Sequence, residues 1–104
     1  MSLPSHAFAA LATFALGGCV AIETLAPSVT PAMASKARVA ASDLENGRRI
    51  YVGRCATCHS IDPVAKYTAG RWREIVSEMA DKAELNASQQ ANVLTYILAA
   101  RASR

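Results

Sequence analysis

Arg54-Cys55-Ala56-Thr57-Cys58-His59-Ser60 is the stretch on which the reading of this chain turns. It contains Cys-x-x-Cys-His, the attachment signature of a c-type haem. Each position has a chemical reason. Two thiols three residues apart occupy about one turn of backbone, so both reach the vinyl groups of one porphyrin as thioethers. The histidine follows at once, which holds its imidazole beneath the iron as an axial ligand. On this reading Cys55 and Cys58 fix the cofactor and His59 ligates its iron.

Two other chemistries use similar residues. A dithiol redox site is also C-x-x-C, but it sits at a helix start after a strand, and no strand-like run precedes Cys55. Structural zinc needs a second pair of ligands, and the only other His and Cys are His6 and Cys19, both in an apolar N-terminal segment.

The size of the chain agrees with a covalent cofactor. The 104 residues allow one domain. Beyond the N-terminal segments only about 60 residues remain, a core that is marginal by itself. A buried macrocycle would become the centre of such a core. The formal charge is +3, with no dense basic run and no interleaved aromatics, so nucleic-acid binding has little support. A mild positive excess suits an acidic partner and is also ordinary for a surface.

Residues 1–18 read as a secretory signal: an apolar run from Ala7 to about Ile22, short for a membrane span and followed by Glu23. Leu16-Gly17-Gly18-Cys19 resembles a bacterial lipobox, which makes Cys19 the lipidated N-terminus after cleavage. Ordinary cleavage after Ala32-Met33-Ala34 and an uncleaved anchor are the alternatives. All three export the domain to the periplasmic side of a bacterial membrane, where c-type attachment takes place. Residues 19–41 read as a flexible tether, because Pro27 and Pro31 oppose helix and small residues dominate.

Residues 42–104 form the expected domain, and its pattern is all-α. Ser42 and Glu45 make a capping box for a helix to about Val52, with Leu44, Gly47, Ile50 and Tyr51 on one stripe. Gly47 in a helix interior costs about 1 kcal/mol relative to Ala, which invites a close helix crossing there. Thr68 caps a second helix over 69–83 whose apolar face is Trp72, Ile75, Val76 and Met79. Asn86 or Ser88 opens a third, to about Ala100, with Val93, Leu94, Ile97 and Leu98 on its face and Tyr96 beside it.

Met79 is the main candidate for a second iron ligand. It is the only methionine of the expected domain, and no histidine follows His59. A thioether is soft and raises the potential, as Met/His ligation does. The rivals are an open iron or a lysine, Lys66 or Lys82. Trp72 reads as an aromatic packed on the haem or in the core.

Gly47-x-x-x-Tyr51, then Cys55-x-x-Cys58-His59, then Tyr96 resembles a class I c-type cytochrome over roughly residues 43–101. The resemblance implies three helices around one covalent haem c, with the first and last helices packed through Gly47, Tyr51 and Tyr96. It implies that a proline carbonyl after the motif, here that of Pro63, accepts from the proximal imidazole; a simple turn after Asp62 is the other reading of Pro63. It also implies an exposed haem edge near Cys58 and transient contact with redox partner proteins. In that family the methionine ligand comes from a loop just before the last helix, whereas Met79 lies in a helical pattern.

The expected function is therefore single-electron carriage outside the cytoplasm, without enzymatic activity. The alternatives are a five-coordinate haem protein that senses or scavenges a gas, and a small haem subunit of a larger redox complex. The distal face provides no histidine or carboxylate of its own, which makes peroxidase-like acid–base chemistry a poor fit.

Overall fold

The computed structural model describes residues 22–57 and 60–103. Those residues are helical or irregular, with no strand among them. After a helical turn over residues 22–25 come α1 (Pro31–Ala37), α2 (Ala41–Gly53), a 3-10 turn (Cys55–Thr57), α3 (Ala69–Met79) and α4 (Ala87–Ala102). The all-α expectation holds, and α2, α3 and α4 are the three expected helices.

The core is the crossing of α2 and α4. Leu44, Gly47, Ile50 and Tyr51 are buried, as their spacing requires. A β-carbon on Gly47 would lie 2.2 Å from the Asn92 carbonyl oxygen and 2.7 Å from Tyr96 Cβ. Only glycine permits this approach. The buried face of α4 is rotated from the expected one: Val93, Tyr96, Ile97, Ala99 and Ala100 are buried, while Leu94 and Leu98 are half-buried. The close approach at Gly47 is what turns Tyr96 fully inward, and small Ala99 and Ala100 follow it.

Helix ends follow local chemistry. Thr68 Oγ1 accepts from the Arg71 amide at 3.1 Å and caps α3. Asn86 and Gln89 form a reciprocal capping box on α4, with bonds of 2.8 and 2.9 Å. Ser42 does not cap α2. That helix starts at Ala41 with Ala40 as its cap and no side-chain cap bond, because α1 ends only a few residues earlier and sets the entry of the chain. Past Met79, α3 closes in a Schellman arrangement. The Leu85 amide donates to the Ala80 carbonyl and the Glu84 amide to the Asp81 carbonyl, with Glu84 in the left-handed region at φ 57°.

The main departure concerns the tether. Its described part packs against the body. Pro31 opens α1 at a position where its missing N–H costs nothing, and Thr30 caps that helix. Ala26 and Met33 are buried. Three consecutive carbonyls are taken by three different elements. Leu25 accepts from the Val64 amide at 3.0 Å, Ala26 from Arg48 Nε at 3.0 Å, and Pro27 from the Tyr96 hydroxyl at 2.6 Å. Lys36 Nζ donates to the Ala102 carbonyl at 2.8 Å. The small residues read as tether composition are the ones that let this segment lie close. No helix among the described residues is long and apolar enough to cross a membrane.

Candidate cofactor cleft

A cleft of about 250 Å3, open on one side, lies between α2, α3 and the loop joining them, over a floor from α4. The end of α2 and the turn after it contribute Tyr51, Arg54 and Cys55. Trp72, Ile75, Val76 and Met79 line it from α3, and Val93 and Ile97 from α4. The lining is mostly apolar, with Arg54, Arg71 and Lys82 and the carboxylates of Asp62 and Glu78 among it. Ligand and cofactor sites are typically about 300–1,000 Å3, so this cleft lies just below that range.

Several predicted residues meet at this place. Cys55 is half-buried in the 3-10 turn. Burial pushes its thiol up, with the Arg54 charge opposing. Met79 is half-buried at the end of α3 and lines the cleft from a different wall. Trp72 is buried, and its Nε1–H donates to the Val64 carbonyl at 2.8 Å. Its ring stands edge-on to Tyr67 and Tyr51, at centroid distances of 5.1 and 6.0 Å.

Pro63 is half-buried and does not line the cleft; its carbonyl accepts from the Lys66 amide at 2.9 Å, the turn role. Cys58 and His59, which follow the 3-10 turn directly, and Cys19 lie outside the described residues. The contact expected between the Pro63 carbonyl and His59 therefore lies outside them too. Of the lysine rivals to Met79, Lys66 does not line the cleft. It pairs with Asp62 at 2.9 Å and lies 5.3 Å from the Tyr67 ring centroid, and the Asp62 bond raises its pKa. Lys82 lines the cleft and is exposed.

Three contributors were not legible in the sequence. Tyr51 is a wall of the cleft as well as a helix-crossing residue: its hydroxyl donates to the Asp62 carbonyl and holds the loop over the cleft. Burial, first, and then the Asp62 charge raise its pKa. Tyr67 is held through its carbonyl, which accepts from Arg101 Nε at 2.7 Å. Arg54 reaches across the cleft wall to the turn that follows α3, donating to the Ala83 and Glu84 carbonyls at 2.9 and 2.7 Å. Its only sequence signal is its place beside the motif. Among the described residues, no three His, Cys, Asp or Glu side chains converge as a metal site.

The described lining is compatible with a haem: the thiol that would bond it lines an apolar cleft, and a thioether lines another wall. No family model, curated protein or solved structure matches the chain, so the functional reading rests on the cleft and the motif themselves.

Proposed function

We propose that the chain is a monohaem c-type cytochrome, exported to the periplasmic side of a bacterial membrane, that passes single electrons between redox partner proteins. One observation carries the reading: the first cysteine of Cys-x-x-Cys-His lines an apolar cleft that Trp72 and Met79 also line. Cys55 and Cys58 would hold haem c covalently. His59 and Met79 would ligate its iron, and the bound haem would supply one-electron chemistry. A cytochrome c-like fold, with Gly47 and Tyr96 at the crossing of the first and last helices, belongs to the same proposal.

The chain's own residues would do three things there. Trp72, Ile75, Val76, Val93 and Ile97 would exclude water from the faces of the cofactor. Tyr51, tied to the Asp62 carbonyl, would keep the loop in place. The open side of the cleft would leave an edge for a partner to approach through a small transient interface. Lipidation of Cys19 would keep the domain at the membrane.

The test is an absorption spectrum of the exported protein, co-expressed with c-type haem maturation machinery and recorded reduced, with and without carbon monoxide. Covalent haem that binds carbon monoxide only weakly is the expected result. Ready carbon monoxide binding would move the reading to a five-coordinate gas-binding protein. Absence of covalent haem in wild type would refute the proposal and return Cys55 and Cys58 to dithiol or metal chemistry.

A further inference from the structure

We infer that Arg54 is a positioning residue that ties the Met79 wall of the cleft to the segment bearing Cys55, and so would hold Met79 where the iron of a bound haem could take its thioether. The inference rests on the haem reading above and adds a role to a residue outside the ligand set.

Arg54 immediately precedes Cys55, and its amide still donates to the Ile50 carbonyl at 2.8 Å, so its backbone belongs to the end of α2. Its guanidinium nitrogen Nη2 reaches the carbonyls of Ala83 and Glu84, twenty-nine and thirty residues away. Those carbonyls lie at the C-terminal end of the helical run that carries Met79. The Ala83 amide itself donates to the Met79 carbonyl at 2.9 Å. A helix end leaves its last carbonyls without partners inside the helix, and positive charge is favourable there. Arg54 supplies both the donors and the charge. Arg54, Met79 and Ala83 all line the same cleft, so the contact joins two of its walls.

The turn it caps needs support. Glu84 holds a left-handed conformation that non-glycine residues adopt at a cost. Between Met79 and α4 the chain runs through this turn, so the Arg54 bonds tie the end of the Met79 run to the segment bearing Cys55. A charge-assisted hydrogen bond shifts a local open–closed equilibrium by about ten-fold or more. Without it the turn would open more often, and Met79 would leave the iron more often with it.

The experiment compares wild type, Arg54→Ala, Arg54→Lys and Met79→Ala, each exported and co-expressed with the haem maturation machinery. Three quantities are read: covalent haem content, carbon monoxide affinity of the reduced protein, and amide hydrogen exchange of residues 83–85. Arg54→Ala should keep covalent haem, which depends on the thiols. It should bind carbon monoxide about ten-fold more tightly than wild type and exchange the 83–85 amides about ten-fold faster. Arg54→Lys, which keeps charge and donors, should recover much of both effects. Met79→Ala should gain carbon monoxide affinity while leaving exchange at 83–85 near wild type.

Unchanged carbon monoxide affinity and exchange in both Arg54 variants would overturn the inference and leave the haem reading intact. So would unchanged carbon monoxide affinity in Met79→Ala. Should Arg54→Ala fail to accumulate, Arg54→Lys decides: affinity and exchange intermediate between wild type and a ten-fold change support the lock, and values equal to wild type overturn it. A wild type without covalent haem overturns the reading beneath the inference, and the inference with it.

Discussion

Replacing Gly47 by alanine tests the geometry on which the domain is built. A new β-carbon would lie 2.2 Å from the Asn92 carbonyl oxygen, 2.8 Å from its carbonyl carbon and 2.7 Å from Tyr96 Cβ, where ordinary contact begins at 3.4 Å. Two of these neighbours are backbone, so no rotamer change relieves them. α2 and α4 would have to part by roughly 1 Å, and overpacking of this kind costs about 1–3 kcal/mol, occasionally more. Alanine returns about 1 kcal/mol through helix propensity. The steric cost should win, because the clash is with the backbone of the partner helix. With the steric cost at the upper end of that range, the expected net loss is about 2 kcal/mol, or roughly 8–16 °C in Tm for a domain of this size. The assay is urea and thermal unfolding followed by far-ultraviolet circular dichroism. Gly53→Ala is the control: nothing lies within 4 Å of its β-carbon position, so that variant should gain about 0.5–1 kcal/mol. A Gly47→Ala protein as stable as wild type, with an unchanged denaturant slope, would refute the crossing.

Three further outcomes are expected. Glu84→Gly should raise stability by about 0.5–1 kcal/mol, since glycine takes the left-handed φ of 57° without strain; a lower urea midpoint would show that Glu84 contributes more than its backbone conformation. Met33→Ala should cost about 2 kcal/mol or more, because Met33 is 4 % exposed in the segment that composition marks as tether; a neutral result would mean that α1 does not pack. Burial pushes the Tyr96 hydroxyl up to about 12, above the unfolded value of about 10. The folded state therefore holds the proton longer than the unfolded one. The resulting stability is complete below about pH 10 and is lost as pH rises toward 12. Burial raises the Tyr51 hydroxyl in the same sense. Unfolding midpoints across that range should fall steeply in wild type and less in Tyr96→Phe; parallel profiles would contradict the assignment.

Much of the candidate site was legible because its residues carry local chemistry. Cys-x-x-Cys-His identifies itself by spacing, and Trp72, Ile75, Val76 and Met79 share one helical face by period alone. The same pattern marked Gly47 as a crossing point. What was not legible are contacts that cross the chain. Arg54 on the Ala83 and Glu84 carbonyls spans twenty-nine and thirty residues. Tyr96 on the Pro27 carbonyl spans sixty-nine. A hydrogen bond from a side chain to a distant carbonyl leaves no periodicity and no compositional mark.

The sequence by itself determined the helical class, the approximate positions of α2, α3 and α4, the cap at Thr68, and the Cys-x-x-Cys-His spacing. These depend on side-chain period, on hydroxyl and amide groups within four residues, and on covalent spacing. Only the tertiary structure decided that residues 25–37 belong to the body, that Tyr96 faces the core, and that α2 begins at Ala41. Proline opposes a helix interior, yet Pro31 is harmless at a first helical position, and Ala26 is fully buried. Three carbonyls find donors on three elements that are distant in sequence. Whether such a segment swings free or lies packed is settled by those partners, which exist only once the rest of the chain has folded.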